Sequence, residues 1–270
     1  MVCFKRTIFS KTLIVYIEAK LYANNSRAFD CIFSTFNTAK CEIIFGGSMY
    51  IHSMHKYVSK ERLTQYTISC NESNNQWVLR LIGSLEDWYA DILNCTIIHG
   101  SCVRLNGKNV LLIGERKSGK TTLTKYLVYE KCATYLDDDC IYIVCDEYLG
   151  FNMPISVRQK ILDSSNENII CSTFDGENIP RTLFEPKASV KTLSKIDIIV
   201  FPKYNEEDVN SIEKIERGNL YNKILNNIRN SRDLKSLFTD INQLIRDVDT
   251  YSINYTSSEN AYKLISALMS

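Results

Sequence analysis

Apolar positions along the chain change their spacing near residue 95, and that change predicts two modules, 1–95 and 96–270. In the first, alternating or continuous apolar runs over 12–17, 41–45 and 77–82 predict strands, separated by turn-forming clusters at Asn24 and Asn25, at Gly46 and Gly47, and over 71–75. Residues 84–95 take helical spacing, with Leu85, Trp88, Tyr89 and Ile92 on one face, Ser84 as the cap and Asp87 at the capping-box position. The first module therefore reads as β-rich.

Beyond residue 95, strand-like and helix-like patterns alternate, which predicts an α/β module. Residues 96–105 have strand composition, Asn106 and Gly107 form a hairpin turn, and 108–113 return as a buried strand. Residues 121–130 read as a helix carrying Leu123, Tyr126 and Leu127 on one face, and 133–144 as strand-like flanks around three aspartates. Residues 147–158 give a turn and an extended stretch around Pro154. The polar run 161–186 predicts a mobile substrate loop. A core strand over 196–202, a helix over 219–228, and a longer helix over 234–248 with Leu237, Ile241, Leu244 and Ile245 inward come next. A strand over 251–255 and a helix over 259–269 close the chain.

Between the 108–113 strand and the 121–130 helix, the run Gly114, Glu115, Arg116, Lys117, Ser118, Gly119, Lys120, Thr121 fits the phosphate-loop pattern G-x-x-x-x-G-K-[ST]. Strand, loop and helix stand in the order that this chemistry needs. Loop amides and the positive helix end, Thr122 included, can surround a polyphosphate, and Lys120 adds a mobile cation toward the β and γ phosphates. Thr121 would supply a hydroxyl to Mg2+. The expected ligands are ATP, or another nucleoside triphosphate, and Mg2+.

Asp137, Asp138 and Asp139 follow soon after. Three adjacent carboxylates repel one another and are costly to bury unless cations neutralise them, a charge that Mg2+ and its nucleotide site would supply. Asp138 lies 18 positions after Lys120, one helix and one strand away, whereas many motor-type nucleotidases place the acidic strand much later. Neither an arginine-finger signature nor an NKxD motif is present, so the pattern favours a kinase over a motor or switch. His99 is expected on a strand beside the one that enters the loop. His52 and His55 are three apart but lack a third ligand, so no metal site is expected there.

Charge narrows the class of partner. Lys and Arg number 32 against 31 Asp and Glu, a net charge of +1, so no global field draws the protein to nucleic acid or to an acidic membrane, and neither partner is expected. Ten cysteines are scattered without a CxxC pair, and charges interrupt the apolar residues of the first twenty positions. Both features fit free thiols in a reducing cytoplasm better than a secreted disulfide framework. No apolar run approaches the ~20 residues that span a bilayer.

His99-Gly100, the phosphate loop Gly114 to Thr121, the pair Asp138-Asp139, the strand ending Lys203-Tyr204 and the strand ending Asn254-Tyr255 occur in an order that resembles the kinase domain of HPr kinase/phosphorylase and its wider set of relatives, over about residues 84–270. The resemblance implies a phosphoenolpyruvate-carboxykinase-like fold, a mixed sheet around a phosphate loop, and phosphoryl transfer from a nucleotide to a hydroxyl, commonly serine. It implies that Asp138 accepts the acceptor's proton, that Asp139 and Thr121 hold Mg2+, that Lys120 stabilises charge and that His99 stands close to Asp138 and tunes it. Asp137, outside the matched pair, is expected to tolerate Asn.

Two departures shape the substrate expectation. Arg116 and Lys117 replace the usual inner serine and glycine of the HPr kinase loop, and the E-x-R-G-x-G segment is missing. The chain thus reads as a related kinase with another acceptor. A serine of a peptide or protein comes first, a small-molecule alcohol such as free serine second, and a nucleotide-dependent regulatory module third, with residues 1–95 choosing the partner. Arg158, Arg181, Lys187 and Lys191 are the basic residues placed to meet phosphate, beside Asp175 and Glu177, and a homo-oligomer stays open.

Overall fold

The computed structural model describes residues 2–8, 11–17, 19–33, 37–38, 47–52, 66–69, 75–144, 146–159, 168–205, 210–231 and 233–269. The chain divides into two units, Met1–Ile92 with Arg158–Glu185, and Leu93–Val157 with Pro186–Ser270. Residues 158–185, carried in the second module by the sequence pattern, thus group with the first unit.

In the first unit, β1 (Val2–Ile8) and β2 (Lys11–Ile17) form an antiparallel hairpin with Phe4 opposite Val15. Helix α1 (Ala19–Ile32) follows, then β3 (Asn37–Thr38), β4 (Gly47–His52) and β5 (Tyr66–Ser69), in a sheet ordered β3-β1-β2-β4-β5. The strand expected over 77–82 is instead the start of helix α2 (Gln76–Leu93), and Ser84 lies inside that helix rather than at its cap. Buried Trp77, Val78, Leu81, Leu85 and Tyr89 make one continuous stripe at helical spacing; a six-residue apolar window from its start is indistinguishable from a strand. The turn expected at Asn24 and Asn25 survives only as a kink in α1, where Asn25 has φ −136° and ψ 26°. His52 closes β4, while residues 41–45, 71–74 and His55 lie outside the described residues.

The second unit begins with β6 (Thr96–Ile98), β7 (Gly100–Leu105), β8 (Lys108–Ile113), α3 (Lys120–Glu130), β9 (Thr134–Asp137), β10 (Ile141–Val144), β11 (Glu147–Leu149) and β12 (Ile155–Val157). The first unit then resumes with an antiparallel hairpin of β13 (Ile169–Phe174) and β14 (Pro180–Phe184). Much of the expected mobile loop is therefore paired strand. Its turn is fixed by the Asp175 carboxylate, which accepts from the Glu177 and Ile179 amides and from Arg181. Two of the six polar candidates, Asp175 and Arg181, are thereby spent on the hairpin.

The second unit continues with β15 (Thr192–Leu193), β16 (Ile198–Tyr204), β17 (Ser211–Lys214), α4 (Arg217–Leu225), β18 (Ile228–Asn230), α5 (Leu234–Leu244), β19 (Asp249–Tyr255) and α6 (Ser258–Ala267). One sheet runs β17-β19-β16-β8-β7-β9 and another β15-β11-β10-β6-β18. The larger is mixed: β8, β16 and β19 are parallel neighbours, while β7 is antiparallel to both β8 and β9. A mixed α/β sheet around the loop is what the sequence predicted.

The strand expected over 96–105 is cut in two, and the strand-like flanks expected over 133–144 are two separate strands. Residues 96–105 break at His99 and 133–144 break at 138–140, and at each break the chain passes from one sheet to the other. Ile98, Cys102, Leu111, Ile113, Leu136, Ile141 and Ile143 from both sheets share one core with Leu237, Ile241, Leu244 and Ile245, the inward face expected of the α5 segment. Truncating a fully buried leucine such as Leu111 to alanine would cost about 2–5 kcal/mol. Among the described residues, Cys31, Cys95, Cys102, Cys132, Cys140 and Cys171 form no disulfide, and no helix is long and apolar enough to cross a membrane.

Candidate functional site

Strand β8 is buried from Asn109 to Ile113 and delivers the chain to Gly114. The strand directions bring the carboxyl ends of β8, β9, β16 and β19 and the amino end of β7 to one edge of the sheet. Such an edge is where open α/β sheets bind ligands. Ser101, the phosphate loop, Asp137 to Asp139, Tyr204 and Tyr255 all belong to it.

Close packing explains the glycines here. A Cβ on Gly100 would lie 2.7 Å from the Leu112 carbonyl, and one on Gly114 would lie 2.9 Å from Ser118 Oγ. Gly119 caps α3 at φ +94°, and a Cβ there would run into the Tyr255 hydroxyl. Tyr204 and Tyr255, legible in the sequence only as landmarks after the loop, brace it: the Tyr204 N–H (3.2 Å) and the Tyr255 hydroxyl (3.3 Å) both donate to the Ser118 carbonyl.

Lys120 Nζ donates to the loop's own carbonyls, Gly114 O at 2.5 Å and Glu115 O at 3.0 Å, and is buried. Glu115, Arg116, Lys117 and Thr122 are exposed. Lys117 sits at φ 69°, a left-handed conformation that costs a side-chain-bearing residue on the order of 1 kcal/mol. The Ser118 hydroxyl is buried with no partner. An orphaned hydroxyl, a lysine turned onto loop carbonyls and glycines with close neighbours where a Cβ would stand fit a polyphosphate cradle: Lys120, Ser118 and the loop amides would hold the phosphates, and Thr121 would face a cation.

Asp138 is buried and accepts from the Ser101 hydroxyl and from the Thr121 hydroxyl. Burial, and then the neighbouring Asp139, push its carboxyl up to about 6, against the opposing pull of Ser101, Thr121 and Lys120. Asp139 turns away at φ 76° and is half-exposed. One of its carboxylate oxygens lies 3.5 Å from His99 Nδ1 and 3.8 Å from Arg229 Nη2.

His99 sits in the bend between β6 and β7, and its ring faces Asp139 rather than Asp138. Burial and then the Lys120 charge lower its pKa to about 4, so the imidazole is neutral at pH 7; a proton on Nδ1 would be donated to the Asp139 carbonyl at 3.3 Å. The tuning contact expected with Asp138 is thus made with the adjacent residue, because the chain reverses between the two.

Asp137 is no tolerant bystander. Its carboxylate is buried at the end of β9 and accepts the amides of Phe151 (2.5 Å), Asp138 (2.9 Å) and Met153 (3.2 Å), together with the Tyr135 hydroxyl (3.4 Å). It ties the acidic turn to the segment after β11.

Sequence patterns gave no signal for Ser101 or Arg229. Ser101 is one residue past the histidine and glycine that drew notice, and Arg229 is one of several cations in a polar stretch. Strand β18 pairs with β6 through a register shift that leaves Arg229 at a bulge, a device that re-aims a side chain; Arg229 Nη1 also lies 2.9 Å from Cys140 Sγ. Of the basic candidates, Arg158 and Arg181 belong to the first unit; Lys187 lies over the Tyr129 ring at 4.9 Å, and Lys191 is exposed.

A family model described as ORC-CDC6-like matches residues 103–268. Among solved structures the chain is similar to the HPr(Ser) kinase/phosphatase from Coxiella burnetii, at 13% identity and a TM-score of 0.32, over 64% of this chain and 93% of that one. No curated protein matches the chain. The family match reaches the P-loop nucleotide-binding fold and names no particular kinase. Matched over more than half its length, the chain belongs to the ORC-CDC6-like family, and its second unit is a P-loop nucleotide-binding domain.

Proposed function

We propose that the second unit is a Mg-ATP-dependent kinase that transfers a phosphoryl group to a hydroxyl, first a serine of a peptide or protein. The observation that supports this reading is the buried Asp138 carboxyl beside the phosphate loop, with its pKa raised to about 6. A general base works best with a pKa near the working pH, and a site that only holds nucleotide has no need of one.

Lys120 and the loop amides stabilise charge on the phosphates, while Thr121 and Asp139 hold the cation. Mg2+, when bound, supplies positive charge to the phosphate oxygens. Asp138 orients the acceptor and takes its proton as the acceptor oxygen bonds to the terminal phosphorus and the bond to the β-phosphate oxygen breaks, giving a nucleoside diphosphate. His99, its ring neutral, sets no positive charge against the cation that Asp139 would hold. The near-zero net charge supports a substrate other than nucleic acid or membrane, and the scattered cysteines without a CxxC pair support a cytoplasmic setting. Residues 1–95 are the proposed source of acceptor choice.

Membership of the ORC-CDC6-like family favours a second reading, a nucleotide-dependent binding module. Incubation with γ-labelled ATP and fractionated cell extract separates the two. Label on a peptide supports the proposal, label on a metabolite moves the acceptor to a small alcohol, and nucleotide binding without transfer to any acceptor overturns the kinase reading.

A further inference from the structure

Tyr204 ends β16 with its N–H on the Ser118 carbonyl, so its position is fixed relative to the phosphate loop. Its ring meets Tyr255 edge-on, with centroids 5.9 Å apart and an interplanar angle of 66°. The two rings differ in one respect: Tyr255 is 2% exposed and Tyr204 is 49% exposed. A scattered aromatic on a surface is ordinary. This one is buttressed by a second ring and anchored to the loop backbone.

Its side of the loop is the informative part. In the sheet, β16 flanks β8 on one side, and β7 followed by β9 flank it on the other. Asp138 and Asp139 follow β9, with Asp138 on the hydroxyls of Ser101 and Thr121. Those carboxylates serve the terminal phosphate and its cation and have no use at the nucleoside end. A phosphate chain whose last group lies toward β7 and β9 has its sugar and base at the opposite end, toward β16. There the half-exposed ring of Tyr204 stands.

We infer that Tyr204 is the base platform of the nucleotide site: its ring stacks on the purine of the bound nucleotide, and Tyr255 holds that ring in place from behind. Stacking reads a π-face rather than a hydrogen-bonding pattern, so the site prefers purines to pyrimidines by area and separates ATP from GTP weakly. The inference rests on the proposed placement of the terminal phosphate beside Asp138 and Asp139, and it holds whether or not a hydroxyl acceptor exists.

Calorimetric titration of wild type, Tyr204→Ala, Tyr204→Leu and Tyr204→Phe with Mg-ATP and with inorganic tripolyphosphate tests it. Tyr204→Ala and Tyr204→Leu should each weaken Mg-ATP by about 5- to 100-fold and leave tripolyphosphate unchanged, while Tyr204→Phe keeps most of the ATP affinity. A 2-aminopurine triphosphate should be quenched on wild type and regain emission on Tyr204→Leu. Equal loss of both ligands would show that Tyr204 only braces the loop, and an undiminished ATP affinity would put the base elsewhere; either overturns the inference while nucleotide binding stands. If wild type bound neither ligand, the nucleotide assignment itself would fall first.

Discussion

Asp137→Asn is the most discriminating test of how the acidic turn is built. Asn keeps the shape and one oxygen. Set in the Oδ1 position, that oxygen can still receive the Asp138 and Met153 amides and the Tyr135 hydroxyl, but the new NH2 then faces the Phe151 N–H across what was a 2.5 Å hydrogen bond. The opposite rotamer is worse, since the NH2 meets two amides. One buried amide loses its acceptor, at about 1–3 kcal/mol, and the remaining bonds lose their charge assistance, so the total is about 2–4 kcal/mol. At about 2–4 °C per kcal/mol for a chain of this size, the melting midpoint should fall by roughly 5–15 °C. Both tryptophans, Trp77 and Trp88, lie in the first unit, so their fluorescence follows that unit while far-UV circular dichroism follows both. The loss should be seen in the dichroism transition. Nucleotide affinity measured well below the midpoint should hold. A midpoint within about 1 °C of wild type would show that Asp137 does not anchor the turn.

Other substitutions separate chemistry from architecture. Asp138→Asn should lower transfer by a factor on the order of 10^2 to 10^4 at nearly unchanged Mg-ATP affinity, whereas Asp139→Asn should raise the Mg2+ requirement; rescue of Asp138→Asn by added Mg2+ would reverse the roles. Because Asp138 is held protonated up to about 6, its contribution to nucleotide-free stability is complete below the ordinary carboxylate value near 4 and is lost as pH rises through about 6; Asp138→Asn should remove that component from a pH series of melts. Ser101 donates to the Asp138 carboxylate and lowers its pKa, so Ser101→Ala should shift the acidic limb of the pH–rate profile upward, and an unshifted limb would remove Ser101 from the site. Gly119→Ala should cost about 1–2 kcal/mol for its backbone angle plus the collision with Tyr255, and adding Tyr255→Phe should recover the second part only; strict additivity of the two changes would contradict that contact.

The phosphate loop and its flanks were legible because a single local rule sets each: buried strand, glycine positions, helix. Strand β8 is placed to the residue, and the apolar face of α5 as well. The first turns of helix α2, over 77–82, were hidden by reading a short window of a long stripe, while its later part was read as helix. Asp175 and Arg181 look like loop charge until their mutual pairing in a hairpin is seen. Asp137 differs from its neighbours by nothing in sequence; its role comes from the amides of Phe151 and Met153, which the fold returns to it from 14 and 16 positions away. Arg229 depends on a bulge, and a bulge leaves no periodic trace.

The paired breaks at His99 and at 138–140 make the two sheets of the second unit share a covalent seam. Strand β6 pairs with β10 in one sheet, β7 pairs with β9 in the other, and the crossing points lie side by side, joined by the contact of His99 with Asp139. A shear of one sheet against the other would have to pull on both crossings at once, and so on Asp138 and its hydroxyl partners at the loop. Clamping the loop should therefore stiffen strands that never touch the ligand. Amide protons of β6 and β10, which contribute no residue to the loop, should exchange more slowly once nucleotide is bound.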